Sequence, residues 1–181
     1  MSSRVLRKKR VLARGGLAGV GLALLGTAAV ASPLVLDWRV NGTGAVTGTC
    51  QMTFSSQCTS ISSGIVLGTH IGSGTYALSV TTGNDGSANS ATNASGGKCL
   101  PANGPGSITA ASGATLNFNT VGWLCEEGGS GSPYHYNGTY RITGGTDRFS
   151  DAVGGGSVAA TFEKGGLTNN TFVKIDGTIN F

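Results

Sequence analysis

Charged side chains make up only 11% of this 181-residue chain, and half of its twelve basic residues fall before position 15. Beyond that point six basic residues face eight acidic ones, a net charge of −2, and Arg39, Lys98, Arg141, Arg148, Lys164 and Lys174 are scattered singly. Nucleic-acid binding needs a clustered basic footprint, so that partner class is excluded. Histidine is scarcer still, with His70 and His135 alone, and no C-x-x-C pair accompanies them. A zinc site therefore lacks its ligand spacing, and neither metal nor cofactor is implied. G-x-S-x-G, H-E-x-x-H, P-loop and calcium-loop patterns are missing as well, which removes the common hydrolase, protease and nucleotide signatures. Past residue 31 no stretch offers apolar residues at helical spacing, and the 27 glycines and many threonines there disfavour long helices.

What is present begins with an export pattern. Residues 2 to 14, "SSRVLRKKRVLAR", hold six positive charges, and "GGLAGVGLALLGTAAVA" follows, ending in Ala29-Val30-Ala31. The order basic, apolar, A-x-A predicts a secretory signal over residues 1 to 31, cleaved to leave Ser32 first. The apolar run is Gly-rich and shorter than the roughly 20 residues of a membrane span, so no membrane attachment is expected after cleavage. "KKRVLAR" loosely resembles a twin-arginine signal but lacks the adjacent Arg pair, which favours the ordinary secretory route. The remaining 150 residues suit one domain. All four cysteines lie there, and an even number in an oxidising compartment predicts two disulfides. Cys50 with Cys58 is the local pair, which leaves Cys99 with Cys125.

Alternation of period two runs through the exported part. Val46, Cys50, Met52 and Phe54 share one face of "AVTGTCQMTF"; Tyr76, Leu78 and Val80 share another. The pattern returns at Leu116 and Phe118, at Tyr136, Tyr140 and Ile142, at Val158, Ala160 and Phe162, and at Val173, Ile175, Ile179 and Phe181. These are half-buried strands, roughly seven to nine of them, and the class is all-β. Periodicity alone leaves a sandwich and a closed barrel both open. Residues 32–45 read as an N-terminal segment, residues 46–181 as the β domain, and residues 81–107 as a long polar loop pinned by Cys99.

"GTYRITGGTDRFSDAVGGGSVAATF" resembles the G-T-Y-x-I-T-G-G-T-G-R-F-x-x-A-x-G-x-G signature of the allene oxide cyclase-like barrel superfamily, which includes the dirigent proteins. "GTHIGSGTY" (68–76) and "ITAASGATLNF" (108–118) are similar to the T-H-L-G-x-x-T and A-A-N-G-D-x-L segments of its secreted bacterial members. The three stretches stand in the expected order over about half of the chain. The resemblance implies a single antiparallel β-barrel of about eight strands and a bacterial source, where the N-x-S/T triplets at Asn41, Asn93, Asn137 and Asn169 would not be glycan acceptors. The family's Gly before the arginine is Asp147 here, and the resemblance assigns no catalytic residue to this chain.

Five residues are candidates for ligand binding. Arg148 could anchor an anionic molecule at a barrel mouth; the competing expectation makes Gly144 and Gly145 a tight turn of positive φ and Phe149 a plug. His70 faces either outward or into the lumen, with no catalytic partner nearby in sequence. Glu126, Tyr134 and His135 flank the Gly/Ser loop of "WLCEEGGSGSPYHY" and could gather at one mouth. Neighbouring strand residues point to opposite faces, so Glu126 and Glu127 would rarely act as a pair.

The expected function is that of a secreted small barrel without catalytic activity, an extracellular binding or structural module. A cyclase- or dirigent-like protein acting on a small apolar molecule in the barrel is the alternative. Possible partners are a small apolar or anionic molecule or a component of the cell envelope. An apolar lumen with room for a ligand would favour binding or cyclisation, and a filled lumen a structural role.

Overall fold

The computed structural model describes residues 34–46, 58–83, 91–92, 94, 96–127, 133–163 and 170–181. The expected signal and its cleavage site lie outside the described residues, as do Cys50 and its proposed bridge to Cys58. Nine strands follow in order: β1 (Leu36–Val46), β2 (Cys58–Gly68), β3 (Gly72–Thr82), β4 (Ala91–Thr92), β5 (Lys98–Ala110), β6 (Thr115–Glu126), β7 (Tyr134–Gly145), β8 (Val153–Phe162) and β9 (Asn170–Asn180). Every pairing is antiparallel, and β3 meets β5 while β1 meets β9, so eight long strands close into a barrel. The two-residue β4 lies beside the start of β5, past the end of β3. Among the described residues there is no α-helix.

Closure follows from the alternation. On β7 the buried residues are Tyr134, Tyr136, Tyr140 and Ile142, and on β9 they are Thr171, Val173, Ile175 and Ile179. Side chains of one parity thus form a single core inside the barrel, and those of the other parity face water. The large rings fit because glycines lie beneath them. A methyl group at Gly106 would fall on the Phe118 ring, one at Gly138 would come within 2.9 Å of the Tyr136 hydroxyl, and one at Gly42 within 3.3 Å of the Tyr76 ring. Trp38 and Phe118 each meet the Tyr140 ring edge-on, at centroid distances of 5.6 and 5.9 Å.

Two expected boundaries move. The barrel starts at Leu36, not at Val46, because inward Trp38 and Val40 belong to the core. The expected polar loop ends early, since β5 already runs from Lys98 and supplies Leu100, Ala102 and Ile108 to the core. Its Pro105 is tolerated where the β3–β5 ladder skips Ser79 and Val80, so the missing proline N–H removes no pairing there. The second expected bridge is present: Cys99 and Cys125 lie opposite each other on β5 and β6 and are joined at 2.03 Å.

Candidate functional site

The barrel has two unlike ends. One carries the short β2–β3, β5–β6 and β7–β8 connections, and the other carries the connections that leave β1, β3, β6 and β8. At the short-loop end, β7 is bulged where its register against β6 shifts at Asn117/Phe118, and Gly144 takes φ +119. Gly145 has no positive φ, contrary to expectation; it is needed because a methyl there would strike the Thr115 carbonyl and lie 2.8 Å from Phe149 Cβ. Asp147 takes the left-handed conformation at φ +51, which aspartate tolerates better than most residues. The single 3-10 turn Asp147–Phe149 then turns Phe149 inward, 1% exposed, with its ring edge-on to Phe181 at 5.3 Å.

Arg148 is exposed, and its guanidinium lies 4.7 Å from the centroid of the Phe149 ring. It covers the plug. The depression beside this corner is lined by Arg141, Ser150 and Asp151 and does not include Arg148. His70 is at the same end, in the β2–β3 turn, exposed and at φ +61. It is a turn residue outside the lumen, because β2 ends at Gly68 and the strand parity stops there.

Glu126, Tyr134 and His135 lie at the opposite end, a barrel length from His70 and Arg148. The structure therefore does not gather the five candidates into one site. Tyr134 is buried, while His135 faces the outer wall. His135 pairs with Glu127, whose Oε2 accepts from His135 Nε2 at 2.8 Å. A carboxylate only accepts, so Nε2 carries the proton, and Nδ1 lies 3.2 Å from the Thr161 hydroxyl, which can donate to it or accept from it. Thr161 is opposite His135 in the β7–β8 register, a contact that one strand's sequence does not display.

The lumen itself holds hydroxyls. Trp38 Nε1, Ser62 Oγ, Thr171 Oγ1 and the hydroxyls of Tyr76, Tyr136 and Tyr140 are buried without a hydrogen-bond partner in the protein. Burial raises the Tyr76 pKa, against the Ser62 and Thr171 hydroxyls, which lie beside it and pull the other way without reaching good hydrogen-bond geometry. Burial raises Tyr136 against Thr120, and raises Tyr140 with added repulsion from Asp176. Among the described residues the buried polar side chains other than tyrosine and tryptophan are Ser60, Ser62, Thr82, Thr120 and Thr171, none of them ionisable near neutral pH.

The outer wall offers a groove of about 740 Å³. The cross-strand register builds it: Ile65 on β2, Thr43 on β1 and Phe172 on β9 are neighbours in one row, and Leu67, Asn41 and Lys174 in the next. Small β1 residues form the trough between taller side chains on both sides. Among the described residues no group of three or more His, Cys, Asp or Glu side chains could hold a metal ion, and no helix is long and apolar enough to cross a membrane. Compared with known proteins, the chain matches no family model, no curated protein and no solved structure.

Proposed function

We propose that this protein is a secreted bacterial barrel of the allene oxide cyclase-like kind that catalyses no reaction and serves outside the cell as a rigid binding or structural module. The filled lumen carries the reading. Rings from β3, β6 and β7 occupy the space above glycines of other strands, Tyr76 at Gly42, Phe118 at Gly106 and Tyr140 at Gly177, and Phe149 closes one end, so the interior acts as a packed core. The Cys99–Cys125 bridge is compatible with an oxidising exterior, and the signal-like residues 1 to 31 supply the route there. Binding to a cell-envelope component would then use the outer wall.

Native mass spectrometry of protein taken from its own culture medium tests this directly. The expected mass is that of a chain beginning at Ser32 with its disulfides formed and no small molecule attached. A stoichiometric apolar molecule retained by the barrel would overturn the reading in favour of a cyclase- or dirigent-like lumen. A chain beginning at Met1 would remove the export argument.

A further inference from the structure

The outer groove combines features that a packed barrel does not need. Ile65 and Leu67, each 67% exposed, stand along one side, and Phe172, 47% exposed, stands on the other. Two strand spacings separate the sides, about 10 Å. Between and around them lie Asn41, Thr43 and Ser73, which offer an amide and two hydroxyls. Lys174 is the one ionic residue of the lining, and its ammonium is held 2.9 Å from Asp176. A ligand therefore need bring no charge of its own.

Thr161 closes the far edge, and its hydroxyl is oriented by the His135–Glu127 pair. Held by His135, the Thr161 hydroxyl stands at that edge as a positioned hydrogen-bonding group. Along the row that contains Lys174, the wall continues through Ala159 and Asn137 to Trp123, 41% exposed. Three strand steps and a two-residue offset along the strands place that second aromatic about 16 Å from Phe172, measured along the wall.

We propose that this groove binds a saccharide unit of a neutral polysaccharide, with Phe172 stacking on the C–H face of the ring and Asn41, Thr43, Ser73 and Thr161 hydrogen-bonding its hydroxyls. The proposal rests on the reading of the barrel as a module that binds through its wall. Charge decides among occupants: an acidic glycan would need an unpaired cation, and the Lys174 charge is already met by Asp176. A wholly apolar molecule would bury the Asn41 and Thr43 polar groups without partners, at a cost that opposes binding. A sugar ring presents C–H groups on one face and hydroxyls around its edge, which matches one aromatic wall and a polar trough. Trp123 extends the site for a chain of several units.

The test is a glycan array of neutral, acidic and amino sugars, followed by calorimetric titration with cellohexaose and, for any other neutral glycan retained, its hexasaccharide. Neutral glycans should be retained, Phe172→Ala should weaken hexasaccharide binding by about tenfold, the effect of losing one aromatic anchor, and Trp123→Ala should weaken hexasaccharide but not disaccharide binding. Both side chains are exposed, so the melting temperatures should stay at the parent value and separate lost binding from lost folding. Retention of acidic glycans alone, no retention of any glycan, or affinity indifferent to Phe172→Ala would each overturn the proposal. So would a concentration-dependent dimer in analytical ultracentrifugation that Phe172→Ala abolishes, because the groove would then be occupied by a second copy. Loss of the saccharide proposal with a ligand-free native mass leaves the packed-barrel reading standing; an apolar molecule in the native mass removes that reading first.

Discussion

Removing the Phe149 ring should destabilise the barrel more than any change to the arginine beside it. Phe149 is 1% exposed, packs edge-on against Phe181 and presses on Gly145, so Phe149→Ala deletes a filled end of the lumen. Truncation of a buried phenylalanine costs about 3 to 5 kcal/mol. The plug is at the barrel end, where Phe181 can settle inward, which places the expected loss at the lower side, about 3 to 4 kcal/mol. For a chain of this size that is a fall in Tm of about 6 to 16 °C. Arg148→Ala removes an exposed cation–π contact and should cost under about 1 kcal/mol. Urea denaturation of the parent and both variants, with unchanged m values, gives the comparison. A Phe149→Ala barrel within about 1 kcal/mol of the parent would refute the plug, and a larger loss at Arg148 than at Phe149 would restore the arginine as a site residue.

The other expectations are equally direct. Reducing Cys99–Cys125, which closes a separation of 26 residues, should cost about 3.5 kcal/mol in the chain-entropy model; a reduced protein melting with the oxidised one would contradict it. Gly106→Val places carbon on the Phe118 ring and should cost at least about 1 to 3 kcal/mol by overpacking, read by thermal denaturation, whereas a neutral result would show that the lumen has slack. Tyr76, Tyr136 and Tyr140 have raised pKa values in the folded barrel, so the folded state keeps protons that the unfolded chain releases above about pH 10. Their stabilising contribution is complete below that pH and falls above it by up to about 1.4 kcal/mol per pH unit for each tyrosine. Tyrosinate absorbance should rise together with unfolding, and ionisation of all three in an intact barrel would refute the burial argument.

Strands β3, β6, β7, β8 and β9 are legible in the sequence because their inward positions hold large apolar residues at period two, as in Tyr76, Leu78 and Val80 or Val158, Ala160 and Phe162. The N-terminal part of β5 is hidden because, after Leu100, its inward positions are Ala102, Gly104 and Gly106, with the Phe118 ring above Gly106 and the β3 backbone close against Gly104. β1 hides part of its inner face in the same way, with the Tyr76 ring above Gly42 and the β2 backbone against Gly44. Glycine recurring at every second residue was the available signal, and it resembles a loop when one strand is considered alone. The site was less legible for a related reason. Glu127, His135 and Thr161 meet through the β7–β8 register and the residue just past the end of β6, while Arg148 and His70, prominent in sequence, are spent on turns.

The hydroxyls of the lumen bear on where this barrel can act. Six buried polar atoms lack a protein partner, and an unsatisfied buried group costs about 1 to 3 kcal/mol. The total would rival the 5 to 15 kcal/mol by which a whole domain is stable. Buried groups of this kind are normally satisfied, and Tyr76 has the Ser62 and Thr171 hydroxyls beside it while Tyr136 has Thr120. An apolar ligand inserted among Tyr76, Ser62 and Thr171 would separate these hydroxyls and leave them without partners, at a cost that offsets its own gain. Ring packing and the demand of the buried hydroxyls for partners both oppose an apolar occupant. On the proposed reading recognition falls to the wall, where Phe172, Trp123 and the polar residues between them can change without disturbing either constraint.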